Sequence, residues 1–340
     1  MAQLDGSGTH KGIKMIQTIN GDILEQTCAI EDNSVDLLLT DPPYNISEDG
    51  ANPVWIDKET GKNKTNIHNQ KFSESFEHNW DEVEHNDFLT QLHGWANFWF
   101  GKIRKGGSFA IFISDQYVSY LWKAMEDAGF EPKRVWTWKK PAAVPFNREV
   151  NPVSGCEYVL FGIKPKGKRT FNANAPEGSM IERYASADKV SSILYRIIKD
   201  TKGPLDLDIA FKQAKLEAEK MLKSRAKTDK GWIQCVIPNT ITYSGGLGKN
   251  KIHPTQKPVE ILEYFIELLS NQGDTVLDTF AGSGSTGVAA YNLNRKCILI
   301  ERDTEMFIKM KDRINNLDKD IKTKQKEKEN PYPHFIDISV

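Results

Sequence analysis

Seven short apolar runs punctuate the chain, at 16–19, 35–40, 108–113, 135–138, 158–163, 275–280 and 297–301. Each is too short for a helix, is bounded by turn residues, and holds apolar side chains without strict alternation. That is the trace of strands covered on both faces. Between them the apolar period becomes helical. From 88 to 105 the apolar positions are 88, 89, 92, 95, 96, 99 and 103. From 117 to 128 the stripe is Val118, Leu121, Trp122 and Met125. Pro258 suits the first turn of a helix reaching about Ser270, with Val259, Leu262, Phe265, Ile266 and Leu269 on one face. Strands alternating with helices predict an α/β domain on a mostly parallel sheet.

Two stretches break this pattern. Residues 47–77 are polar and follow directly on a strand, which predicts a long loop. Residues 164–248 are basic and punctuated by Gly and Pro, with one Lys-rich helix expected at about 207–226. The expected organisation is therefore a catalytic half at 15–164, an inserted small region at 165–248, a second half at 249–317 and a charged tail at 318–340.

Composition narrows the class. An apolar fraction of 39% with eight Trp supports a packed core, so global disorder is excluded. No run approaches the roughly 18 apolar residues of a membrane span. Residues 1–14 are polar and Gly-rich, so no secretory signal is expected. Cys28, Cys156, Cys235 and Cys297 lie far apart, as ordinary thiols of a reducing cytoplasm do, and no metal site is expected. The net charge of −1 is unevenly spread. Nine basic residues against two acids lie between Lys133 and Arg169, and ten acids against four lysines between Glu48 and Asp87. The first block has the charge of a phosphate-binding surface.

Two turns carry the chemistry. The run 275–280 leads into Ala281-Gly282-Ser283-Gly284-Ser285-Thr286-Gly287, then a helix of small residues and the strand ending in Glu301. Glycines at a strand-to-helix turn let a ligand approach the backbone, and an acid at the tip of the next strand can hold both hydroxyls of a ribose. Gly282-x-Gly284-x-x-Gly287 also fits a dinucleotide fingerprint. Only about forty residues follow Glu301, however, so no second nucleotide-binding half can come after it. The rest of the sheet must come from earlier chain, in a permuted order.

The second turn is Asp41-Pro42-Pro43-Tyr44-Asn45-Ile46, at the end of the run 35–40. Two prolines stiffen it and remove two N–H donors. A carboxylate, an outward carbonyl and an aromatic ring thus meet at the carboxyl end of a strand, where open α/β sheets bind ligands. The set suits a planar base bearing an amino group: the ring stacks, and the acid and carbonyl accept from the NH2.

Together, Asp41-Pro42-Pro43-Tyr44 and Asp278-x-Phe280-Ala281-Gly282-Ser283-Gly284 resemble the S-adenosylmethionine-dependent amino-methyltransferases of DNA. Their order, with His253-Pro254-Thr255-Gln256-Lys257-Pro258 before the glycine strand, resembles the β-class permutation. The resemblance implies a Rossmann-like, seven-stranded methyltransferase sheet with a small inserted target-recognition domain. It implies DNA as partner, no membrane, and S-adenosyl-L-methionine as cofactor, and admits a homodimer and a cognate restriction endonuclease. By the same resemblance, Asp41, Pro42 and Tyr44 are catalytic. Phe280, Gly282 and Gly284 line the methionine part of the cofactor, Asp278 lies near its amino group, and Glu301 holds the ribose. Asp22 bonds the adenine amino group, Ile23 lies against that ring, and Thr255 and Lys257 approach the carboxylate. A leading Asp in the first motif goes with adenine N6 and a leading Ser with cytosine N4. The alternatives are a cytosine-N4 methyltransferase and a silent nucleic-acid-binding module on the same fold.

Overall fold

The computed structural model describes residues 16–25, 28–45, 83–139, 155–176, 190, 193–201, 206–223, 232–234, 240–242 and 256–317. The strands are β1 Ile16–Asn20, β2 Val35–Thr40, β3 Ile103–Ile113, β4 Glu131–Lys139, β5 Cys156–Ile163, β6 Asn174–Pro176, β7 Trp232–Gln234, β8 Thr240–Thr242, β9 Thr275–Asp278 and β10 Lys296–Glu301. The helices are α1 His85–Lys102, α2 Val118–Asp127, α3 Leu207–Lys223, α4 Val259–Leu269, α5 Ser285–Asn292 and α6 Thr304–Asn315. Among the described residues, no helix is long and apolar enough to cross a membrane.

One sheet organises the molecule, in the order β1-β10-β9-β2-β3-β5-β4-β8. Its first seven members are the seven expected strands; β8, three residues from the segment 165–248, adds an eighth at the edge. β1, β10, β9, β2 and β3 run parallel, whereas β5 is antiparallel to both β3 and β4. β6 and β7 form a separate antiparallel pair.

Both faces are covered, which is why the strands read as continuous apolar runs. Successive residues of β2 and β3 alternate between two cores. Leu37, Leu39, Ala110 and Phe112 pack with α4, α5 and α6, whereas Leu38, Phe109, Ile111 and Ile113 pack with α1 and α2. Trp99 and Tyr264, one in each core, are the bulkiest fully buried side chains.

One expected boundary moves. The helix expected to reach residue 105 stops at Lys102, because Ile103 turns extended and pairs with Val35 of β2. At the start of the expected inserted region, Phe171 and Asn172 are held against the main sheet's α4 side. Phe171 packs on the α4-side core, and the Asn172 backbone N–H donates to the Leu268 carbonyl at 2.8 Å. Its side-chain amide donates to the Glu267 and Ser270 carbonyls at 2.8 and 2.9 Å, satisfying the free carbonyls at the end of α4. The expected loop at 47–77 and the tail lie outside the described residues.

Candidate active site

From β9 the chain crosses through α5 to β10 on one side; from β2 it crosses through α1 to β3 on the other. The strand order therefore reverses between β9 and β2, and the crevice beyond their carboxyl ends is where open α/β sheets bind ligands. The two chemical turns leave from these two strands. Leu38 pairs with Leu277, and the Thr40 hydroxyl donates to Asp278 Oδ1 at 2.7 Å while accepting from the Thr279 backbone N–H at 3.2 Å.

On the β2 side, Asp41 sits in a dense polar cluster. The Tyr44 hydroxyl donates to Asp41 Oδ1 at 2.5 Å, so it has a definite task besides carrying the ring. Lys257, just before α4, brings its buried Nζ to 2.5 Å from Asp41 Oδ2, 3.2 Å from Glu157 Oε2 and 3.2 Å from the Tyr44 hydroxyl. The ammonium lies 5.4 Å from the Tyr44 ring centroid and 5.1 Å from that of Phe112. Burial alone would push its pKa down; Asp41 and Glu157 more than reverse this and hold it above the ordinary lysine range. Lys257 was expected at the cofactor carboxylate. The structure places it against Asp41, because Pro258 caps α4 with extended backbone and aims the preceding residue at the end of β2.

On the β9 side, Gly282 and Gly284 both adopt positive φ, at +48° and +74°, but face different surroundings. A Cβ on Gly282 would meet nothing within 4 Å, leaving a cradle open to a ligand. A Cβ on Gly284 would lie 2.8 Å from Met310 Cγ of α6. Gly284 thus serves the N-cap of α5 and the packing of α6, while the space above Gly282 is open. The Gly282 backbone N–H donates to Glu301 Oε2 at 2.8 Å, and Asp303 N–H to Oε1 at 2.8 Å. Burial raises the Glu301 pKa against these bonds.

Asn20 faces Glu301 across β1 and β10, which brings the turn after β1 to the same crevice. Asp22 Oδ1 accepts from Leu24 N–H at 2.9 Å, and Oδ2 lies 3.7 Å from the Arg302 guanidinium. Ile23 is buried in the core that also receives Phe280, whose ring meets Trp95 edge-on at 4.8 Å. Asp22, Ile23, Phe280, Gly282 and Glu301 are thus gathered at one end of the crevice. Asp278, expected near a ligand amino group, is buried at the end of β9. It accepts from the Thr40 and Thr286 hydroxyls at 2.7 and 2.6 Å and from Phe280 N–H at 3.1 Å, tying β9 to β2 and α5. Desolvation raises its pKa to about 6, against those three bonds. Thr255 lies outside the described residues.

Glu157 and Trp95 were missed in the sequence. Glu157 is one of two acids in a basic block, and Trp95 read as one more residue of an apolar stripe. The basic block itself divides. Ile163 pairs with Ser108 at the amino end of β3, so Lys166, Lys168 and Arg169 follow at the end of the sheet away from Asp41. A six-residue strand separates the two ends by roughly 20 Å. Lys139, which closes β4 opposite Cys156, lies at the Asp41 end.

A nucleotide-type crevice and an Asp-Pro-Pro-Tyr turn at the reversal of a Rossmann-like sheet define the class as a methyltransferase. The chain belongs to the N6/N4 family of DNA methylases, whose family model, described as "DNA methylase", matches residues 35–312. S-adenosylmethionine is the methyl donor of that class. The chain is similar to the Type II methyltransferase M.HpaI of Haemophilus parainfluenzae, 27% identical over 289 residues, covering 84% of this chain and 70% of that protein. It is also similar to the Type II methyltransferase M.HindIII of Haemophilus influenzae, 24% identical over 305 residues, covering 85% and 91%. Among solved structures, the cytosine-N4-specific PvuII DNA methyltransferase superposes with a TM-score of 0.52 at 16% identity, covering 89% of this chain and 92% of that one. M1.HpyAVI superposes with a TM-score of 0.50 at 21% identity, covering 88% and 99%.

Proposed function

We propose that this DNA methyltransferase methylates the exocyclic N6 of adenine, and that it is of the β-class permutation. The observation that carries the reading is the placement of Asp41 and Tyr44 at the strand-order reversal, beside the open cradle of Gly282. When bound, S-adenosylmethionine supplies a methyl on a positively charged sulfur, so the amino nitrogen forms its N–C bond as the C–S bond breaks. The cradle over Gly282, with the half-buried Glu301 carboxylate bonded to its N–H, fits that group.

The difficulty for the protein is the nucleophile, since the amino lone pair is spread into the ring. Asp41 and the Pro42 carbonyl accept the two N–H bonds, pull the nitrogen toward tetrahedral geometry and localise its lone pair. Asp41 then takes the proton that the methylated nitrogen sheds. The Tyr44 ring is the platform for a base rotated out of the duplex, and its hydroxyl holds the Asp41 carboxylate in place. The leading Asp of the motif favours adenine over cytosine within the family. Residues 165 to 248 are the target-recognition region of this reading, and the Type II methyltransferase relatives support a role in restriction–modification.

The test is methylation of DNA by the purified protein with labelled S-adenosylmethionine, followed by nucleoside mass spectrometry. N6-methyladenine is the expected product. N4-methylcytosine in its place would overturn the adenine assignment, and no labelled nucleoside would overturn the reading of the site.

A further inference from the structure

One group in the crevice has no part in the chemistry so far. Glu157, near the start of β5, lies 3.2 Å from the Lys257 ammonium that Asp41 also contacts. Glu157 and Lys257 are largely covered, with side-chain exposures of 16% and 9%. The Lys257 ammonium therefore contacts two carboxylates at once.

That arrangement matters for the transfer. An ammonium bonded to Asp41 alone would cancel the charge of the very group that must attract the amino nitrogen as it turns cationic. A second carboxylate on the same ammonium shares it, so Lys257 is held in place and neutralises Asp41 less completely. Interactions with developing charge inside a covered site weigh far more than in water.

We propose that Glu157 is a positioning residue of the methyl transfer, acting through Lys257 to keep the Asp41 carboxylate oriented and electrostatically available. The inference rests on the reading of Asp41 as the acceptor of the amino group. Glu157 touches neither the base nor the cofactor in this scheme. Its influence passes through the Lys257 ammonium, so it disappears when that ammonium is removed. A merely structural Glu157 would instead lower stability and cofactor affinity, whatever stands at 257.

The test is a double-mutant cycle on the full chain, read by single-turnover methylation at saturating S-adenosylmethionine, by calorimetry of cofactor binding and by thermal melting. Glu157→Gln keeps the shape and removes the charge; it should slow transfer by about tenfold, the middle of the range for coupled neighbours. Its affinity for S-adenosylmethionine should stay within about twofold of wild type, far less than that tenfold step. In a Lys257→Met background, adding Glu157→Gln should slow transfer no further. Glu157→Asp, which restores the carboxylate, should regain most of the rate, and it carries the test if Glu157→Gln does not fold. Wild-type speed in Glu157→Gln, a further tenfold loss in the double variant, or no recovery in Glu157→Asp would each overturn the inference. An active wild type with an unaffected Glu157→Gln overturns this inference alone. A wild type that methylates no DNA overturns the functional reading and this one with it.

Discussion

Both ends of the sheet bury a lysine, and the two lysines do opposite work. At the far end, Lys164 donates to the Phe100 and Ile103 carbonyls at 2.5 and 2.8 Å and to Asn33 Oδ1 at 3.0 Å, with its Nζ 4.3 Å from the Phe100 ring centroid. Its partners are neutral, so desolvation lowers its pKa. Nearby, Asp36 holds Arg104 and accepts the Thr275 N–H at 2.8 Å, fastening β2, β3 and β9 where they begin. At the other end, Lys257 faces two carboxylates and a tyrosine beside an open glycine cradle. A buried cation against neutral acceptors ties backbone ends together, whereas Lys257 is shared by two carboxylates. Burial is common to both lysines, and the charge of their partners is what differs.

The largest effect should come from Asp41. Asp41→Ala should lower the single-turnover rate by roughly a hundredfold to a thousandfold, the scale of losing one preorganised partner of a developing charge. Stopped-flow or quench-flow methylation checks this, and a loss below about tenfold would erase the functional distinction between the ends. Lys164→Met should do the reverse. Stranding two backbone carbonyls should cost roughly 2–4 kcal/mol of stability in denaturant titrations while leaving the rate per folded molecule unchanged.

The glycine turn offers a finer division. Gly282→Val should lose about tenfold or more in cofactor affinity by calorimetry, because its side chain would fill the cradle. Gly284→Ala should retain most affinity and lose about 1–2 kcal/mol of stability from its positive φ and the approach to Met310. Equal affinity losses in the two variants would return both glycines to a ligand role.

Asp278 provides the pH signature of the junction between the two turns. Unfolded, its carboxyl titrates near 3.8; folded, at about 6, so the folded state holds the extra proton between those values. Its contribution is therefore fully present below about pH 4 and lost as the pH rises through about 6, a change of about 3 kcal/mol. Urea titrations across that window should show Asp278→Asn with a correspondingly flatter profile than wild type. A parallel profile would mean that the three bonds to Asp278 fully offset its desolvation.

The smallest effect separates the halves of the basic block. Lys139→Gln should lower the log–log salt slope of DNA binding by about 0.9, the value for one phosphate contact, while Lys168→Gln leaves it unchanged. The opposite result would put the DNA track at the far end of the sheet.

All seven expected strands appear in the main sheet, because side chains buried on two faces leave runs that need no long-range information to recognise. The helix boundary at Lys102 was not legible, since it depends on Ile103 finding Val35 across the sheet. Nor was the anchoring of residue 172, which depends on Asn172 meeting the carbonyl end of α4. The two glycines looked equivalent; Met310, far along the chain, makes them different.

By itself the sequence determined the α/β class, the two chemical turns and their permuted order, because turn chemistry and apolar period are local properties. Which charges share a crevice was decided by tertiary structure alone. β5 runs against its neighbours, so Glu157 and Lys166, nine residues apart, go to opposite ends of the sheet. Lys257 reaches Asp41 across 216 positions of chain because the β2–β9 junction and the start of α4 meet there. Sequence spacing carries no record of a contact that only the closing of the sheet creates.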